Sequence, residues 1–205
     1  MRLAPPADHY SAMKRNPLYL IAVALMFVST TSCSVTKRPI SSLYFAEQAS
    51  EAAATPSPEM VALSESISSK LGMELSYPEN DLGLYAFVAD WLRTPYRFGG
   101  MSRRGTDCSG FVYRLYETVY ETNIGRQSSA DLMSQTARVS RDDLKEGDLV
   151  FFNIRNRRGG RASHVGVYLE DGKFAHATTR SGVIISQLSE PYYRRTYLGA
   201  GRVKK

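Results

Sequence analysis

The sequence predicts an α+β domain in which helices come first and an antiparallel sheet follows. Three observations lead there. Apolar residues recur at helical spacing through Leu84, Tyr85, Phe87, Val88, Trp91 and Leu92, and again through Phe111, Val112, Leu115 and Val119. After Gly147 the period changes, and short apolar runs separated by turn residues read as strands. Helices followed by strands imply segregated layers, with the N-terminal helices packed on a C-terminal antiparallel β-sheet, rather than alternating parallel units. A chain of 205 residues with 43% apolar and 22% charged side chains can bury one such core. With only Cys33 and Cys108, it must do so without a disulfide framework or a pair of Cys-x-x-Cys zinc motifs.

Along the chain, residues 18–28 form an unbroken apolar run of eleven, preceded by Lys14 and Arg15 and followed by Ser29, Thr30, Thr31, Ser32 and Cys33. As a helix this run would be ~16 Å long, about half a bilayer core. That is too short for a membrane anchor and suits the apolar part of an export signal. Met13, directly before Lys14, offers a start of its own. Residues 1–33 are therefore read as a signal peptide. Residues 34–76 read as a polar, low-complexity tether with one weakly amphipathic stretch at 61–71. The folded domain is placed at 77–205.

Within that domain, Asn80 or Asp81 can cap the first helix, and Thr94-Pro95 ends it. Gly99-Gly100 and Gly105 mark a loop. A second helix starts near Cys108, and a third runs near 129–137 behind Ser128-Ser129. Strands are expected at 148–152, 164–169, 174–178, 183–186 and 197–203. Asp171-Gly172 is the clearest hairpin signal. A two-residue turn there would pair Val167 with His176 and put His164 on the opposite face. A three-residue loop of Glu170, Asp171 and Gly172, with Gly172 left-handed in a bulge, pairs Leu169 with Lys173 and sets both histidines on one face. The chemistry considered next needs the histidines together, so positive φ is expected at Gly172.

Cys108 sits where the glycine-containing loop enters the second helix. A thiol there feels the positive end of the helix dipole, which favours the reactive thiolate. An isolated cysteine is more often a small core residue, but Cys108 precedes the apolar face rather than lying in it. The two histidines that follow it, His164 and His176, both fall on predicted strands beside one turn. Together the three residues supply a nucleophile, a base and a group that orients the base. A Cys-His-His zinc site is the rival reading of the same residues, with no fourth protein ligand evident nearby.

Four segments taken in order carry a family resemblance. Thr106-Asp107-Cys108-Ser109-Gly110-Phe111-Val112, the stretch Leu144-Lys145-Glu146-Gly147-Asp148-Leu149-Val150-Phe151-Phe152, Ser163-His164-Val165-Gly166-Val167-Tyr168 and Phe174-Ala175-His176-Ala177 are similar to the NlpC family of bacterial cell-wall cysteine peptidases. The tail from Ser181-Gly182-Val183-Ile184-Ile185-Ser186 to Pro191-Tyr192-Tyr193 resembles the Spr-type murein endopeptidase lipoproteins. The resemblance implies a reduced papain-like fold with Cys108 as nucleophile, His164 as base and His176 as its orienting group, and it calls for no cofactor or metal. Tyr96 matches a tyrosine near the oxyanion site of the Spr-type enzymes, and equally suits an ordinary half-buried aromatic. Asp107 and Ser109 flank the nucleophile as substrate-groove residues, although Asp107 also reads as a helix cap. Cys33 resembles the lipidated cysteine of bacterial lipoproteins, with Thr30 where that motif usually has leucine.

These resemblances imply an exported protein of the cell envelope, lipid-anchored through Cys33, that hydrolyses amide bonds in peptidoglycan stem peptides. The region before Tyr77 is too short and polar for the SH3-like module that narrows the groove of stem-trimming relatives. Cleavage of the D,D cross-link is therefore expected, with the γ-D-Glu to diaminopimelate bond as the alternative. A non-catalytic wall-binding module should lack one of the three catalytic candidates, and related acyltransferases place the histidine before the cysteine. The whole formal charge excess of +6 falls in residues 77–205. Arg155, Arg157, Arg158 and Arg161, just before His164, suit the carboxylates of peptidoglycan. Export argues against nucleic acid as their partner. The sequence names no regulatory partner.

Overall fold

A computed structural model describes residues 57–156 and 160–204. The readings on the leader, on Cys33, on residues 34–56 and on Arg157 and Arg158 lie outside these residues.

Helix α1 (Pro58–Leu71) starts at Ser57, whose hydroxyl accepts from the Met60 N–H, and ends at Gly72 in the left-handed conformation. Met60, Ser64 and Ile67, on one face, are buried, and α1 packs on α2 (Leu82–Trp91). Part of the segment read as a tether is therefore folded onto the domain, and its core reaches upstream of Tyr77. Asp81 caps α2, accepting from the Leu84 N–H at 3.1 Å. Every residue of α2 is buried. Helix α3 (Cys108–Val119) packs on it, with the Phe111 ring tilted against Phe87 and edge-on to Trp91 at ring distances of 5.8 and 5.9 Å. Between α2 and α3 lies a small hairpin, β1 (Met101–Ser102) with β2 (Gly105–Thr106). Helix α4 (Ser129–Gln135) follows α3, capped by Ser128.

The remaining strands are β3 (Ala137–Val139), β4 (Leu149–Phe152), β5 (His164–Tyr168), β6 (Lys173–Thr178), β7 (Gly182–Gln187) and β8 (Tyr197–Arg202). They form one antiparallel sheet in the order β3-β8-β4-β5-β6-β7. Alternation divides the side chains cleanly. Leu149, Phe151, Val165, Val167, Ala175 and Ala177 pack toward the helices. Val150, Phe152 and Phe174 face the other way, joined by Leu188, Ala200 and Tyr193 of α5 (Pro191–Thr196). Strands β1, β2 and β3 and helix α5 were not foreseen, because each has six residues or fewer and lacks an apolar run of its own.

The β5–β6 connection realises the expected register by a different loop. Val167 pairs with Ala175, Tyr168 with Phe174, and the Leu169 N–H donates to the Lys173 carbonyl at 2.9 Å. Gly172 has φ 76°, as expected, but Asp171 is left-handed too, at φ 51°. The Lys173 N–H donates to the Glu170 carbonyl at 2.8 Å, closing a two-residue turn. Glu170 is the extra residue, taken up as a bulge.

At the start of α3 the loop from residue 97 passes against the helix, and Gly110 makes this possible. A Cβ there would lie 2.0 Å from the Gly100 carbonyl oxygen, a backbone atom held by the Asp107 N–H. Gly110→Ala is expected to lower stability by roughly 1–3 kcal/mol, the usual cost of forcing extra volume into a packed site. Urea unfolding measures this, and an unchanged midpoint would mean that the loop is free to move.

Candidate active site

Cys108 occupies the first position of α3, and its neighbours are fixed by the Asp107 carboxylate. Asp107 Oδ1 accepts from the Gly110 N–H at 2.7 Å, and Oδ2 accepts from the Gly99 N–H at 2.8 Å and from Arg126 Nη2 at 2.6 Å. Arg126 Nη1 also donates to Ser109 Oγ at 2.5 Å. Asp107 is thus the helix cap and at the same time ties three chain segments together. Arg126 was missed in the sequence, where nothing about Gly125-Arg126-Gln127 marks a partner nineteen residues earlier. Tyr96 is half-buried beside Cys108, held by a bridge to Thr106 and by hydrogen bonds on either side of it.

The two histidines are brought into direct contact. His164 Nε2 and His176 Nδ1 are 2.7 Å apart, with the rings nearly perpendicular. Both are buried on the face of the sheet that carries Phe152 and Phe174. His176 Nε2 lies 3.1 Å from Ser186 Oγ and 3.3 Å from Tyr193 Oη, two groups to which the sequence analysis attached no chemistry. The Cys108 sulfur meets the backbone N–H of Val165, next to His164, and that of Ser109. Its side-chain contact is with Ser129 Oγ at 3.7 Å, and among the described residues no hydrogen bond joins it to His164.

Burial sets the charge states. Desolvation pushes the Cys108 thiol up, with the Asp107 carboxylate adding to it, while Ser129 and the N–H groups of Val165 and Ser109 oppose. The helix-start position alone suggested a lowered value, so the structure corrects that expectation for the resting state: removal from water outweighs the helix end. Desolvation, reinforced by Arg155, holds His164 down to about 4. Desolvation and the neighbouring His164 hold His176 well below the usual histidine value. At pH 7 the thiol and both imidazoles therefore rest neutral.

A groove of about 570 Å³ runs past the sulfur, with Tyr96, Asp107 and Ser109 in its wall and the exposed Phe98 and Met101 at its rim. Arg126, Arg155 and Arg161 supply positive charge along it. Gln127 Oε1, also in the groove lining, is buried and unpaired among the described residues. A larger cavity of about 740 Å³, bordered by Asp81, Glu146 and Glu170, includes none of the predicted site residues.

Residues 93–202 match the model of the NlpC/P60 family. The murein DD-endopeptidase MepS/murein LD-carboxypeptidase of Escherichia coli K12 is 43% identical over 115 residues, 56% of this chain and 58% of that protein. The chain thus spans under two thirds of that relative's length. A probable endopeptidase NlpC of the same organism is 37% identical over 59% of this chain and 77% of its own. Among solved structures, an NLP/P60-family protein similar to a lipoprotein, from Staphylococcus aureus, matches with a TM-score of 0.55 and 29% identity, covering 63% of this chain and 43% of that one. The NlpC/p60 domain of the peptidoglycan hydrolase SagA matches with a TM-score of 0.51 and 26% identity, over 60% and 99%. Helices on an antiparallel sheet, in the reduced papain-like arrangement, are what these structures share with the chain.

The buried neutral histidines carry a pH signature. The unfolded chain binds a proton at His164 near pH 6.5, whereas the folded one does so only near pH 4. The stability held above about pH 6.5 is therefore lost as pH falls toward 4, by roughly 3 kcal/mol for His164. His164→Gln should flatten that part of the fall when unfolding free energies at pH 7 and 4.5 are compared. Parallel losses in variant and wild type would contradict neutral burial.

Proposed function

The chain belongs to the NlpC/P60 family, and on that premise we propose that it is an exported murein endopeptidase using Cys108 as a covalent nucleophile. The observation that carries this reading is the meeting of three features at one place: a thiol at a helix start in a groove wall, the Val165 N–H against its sulfur, and the adjacent His164 hydrogen-bonded to His176. In the proposed cycle a stem peptide fills the groove and His164 takes the thiol proton as the sulfur attacks the scissile carbonyl. Contacts of this kind commonly tighten only when substrate is bound. The N–H of Cys108, which has no intrahelical acceptor at the first helical position, and Tyr96 face the developing oxyanion. Protonated His164 then gives its proton to the departing amine, and water activated by the same imidazole cleaves the thioester.

Asp107 and Ser109 shape the groove, and Arg155 and Arg161 attract the carboxylates of the stem. The unpaired Gln127 Oε1 offers an acceptor for a substrate N–H. The zinc reading has less support, because both ring nitrogens of His176 already have partners. The bond we favour is the D,D cross-link between D-Ala and diaminopimelate. The name of the Escherichia coli relative supports this choice over the γ-D-Glu to diaminopimelate bond. Among the described residues no helix is long and apolar enough to cross a membrane. Attachment to the periplasmic side of a membrane is assigned to lipid on Cys33, after export by a signal that works from Met13.

Incubation with cross-linked dimeric muropeptides should give monomers with intact tetrapeptide stems, as read by mass spectrometry. Iodoacetamide should abolish the reaction and a chelator should leave it unchanged. Dipeptide-bearing products would overturn the bond assignment alone, while loss on chelation without loss on alkylation would establish zinc chemistry. A Cys33→Ala chain is expected to leave the membrane fraction, and unchanged fractionation would refute the anchor.

A further inference from the structure

We propose that Ser186 and Tyr193 are positioning residues that fix the proton arrangement of the histidine pair. Their effect is to leave His164 with an unprotonated Nδ1 available to the thiol. The hydrogen bond between His164 Nε2 and His176 Nδ1, at 2.7 Å, can be filled in two ways. Either His164 donates, leaving its own Nδ1 bare, or His176 donates, and neutral His164 must carry its proton on Nδ1. Only the first arrangement leaves a base facing away from His176.

What lies beyond His176 decides between them. In this arrangement Ser186 Oγ gives its single proton to Tyr193 Oη, 3.5 Å away, and turns a lone pair to His176 Nε2, 3.1 Å away. His176 must then hold its proton on Nε2 and present a bare Nδ1 to His164. Tyr193 Oη, 3.3 Å from the same nitrogen, can also take the Nε2 proton on a lone pair. Donors thus run outward in one direction, from His164 through His176 and Ser186 to Tyr193. All four side chains are buried, which makes reversal costly because no bulk water is at hand to re-pair the groups. The hydroxyls come from separate elements. Ser186 is on β7, whose register pairs Phe174 with Ser186 and His176 with Ile184, and Tyr193 is on α5. This gives the short helix α5 a part in the chemistry.

The inference concerns protons within the free protein and uses the proposed peptidase activity only for its kinetic consequence. Long-range proton–nitrogen correlation spectra of the full chain with ¹⁵N-labelled histidine, at pH 7.5, separate protonated from bare ring nitrogens. The wild type should show Nε2 protonated and Nδ1 bare in both His164 and His176. Ser186→Ala with Tyr193→Phe should convert this to a mixture of tautomers, whereas Ser186→Thr should keep it. With muropeptide as substrate, Ser186→Ala should lower kcat about tenfold, the common cost of losing an outer partner, with KM unchanged, and Ser186→Thr should restore it. Wild-type protonation at His176 Nδ1, or identical tautomers in the double variant, would overturn the proposal. The wild-type spectrum decides even where the double variant does not fold. The expected spectra without any muropeptide hydrolysis would instead count against the peptidase reading and leave the proton arrangement standing.

Discussion

The hydrogen bond between two buried imidazoles, 2.7 Å long, is the constraint from which most of the domain's geometry follows. It exists only if β5 and β6 pair so that His164 and His176 share a face, since a slip of one residue would turn one ring to the helix side. The bulged turn at Glu170, Asp171 and Gly172 sets that register, and Val167 opposite Ala175 places small and branched residues against the helices. Phe152, Phe174 and Tyr193 close around the rings from the other face at centroid distances of 4.7–6.1 Å. The packing that removes the histidines from water is what holds both of them neutral well below pH 7.

The second fixed point is the Asp107 carboxylate. It caps α3, holds Gly99 of the preceding loop and receives Arg126 from the segment before α4, so one buried group sets both sides of the groove around Cys108. A helix cap typically contributes about 1 kcal/mol, and the charge-assisted bond to Arg126 contributes more than a neutral one. Burial of the thiol and of both histidines points to a site at rest in its uncharged form. In the proposed cycle the proton transfer then accompanies the attack and no ion pair stands beforehand. This departs from what the helix-start position of Cys108 suggests in isolation, because desolvation of the half-buried sulfur and the Asp107 carboxylate outweigh the helix end.

The α+β class, helices α2 and α3 and the central strands were legible because each carries a period, 3.6 through Leu84 to Leu92 and Phe111 to Val119 and 2 through the strands, whereas α1 was read as part of a tether. Cys108, His164 and His176 were legible as a set because few other residues in the chain bear such chemistry. Arg126, Ser186, Tyr193 and the burial of Met60 and Ile67 were not. Serine, tyrosine and arginine are common side chains without periodic signal, and their partners lie ten to twenty residues away across turns whose geometry the sequence only brackets. The hairpin shows the limit well: its register followed from chemistry, but its loop, with Asp171 left-handed as well as Gly172, did not.

The account stands most directly on a covalent intermediate at Cys108. The full chain, held in molar excess over a cross-linked dimeric muropeptide, would be quenched in acid within the first turnover and mapped by mass spectrometry. The account predicts a thioester on the Cys108 peptide with the mass of the stem that contributes the D-Ala carbonyl, and no such adduct or product with Cys108→Ala. Product formation by the Cys108→Ala chain at an undiminished rate would contradict it.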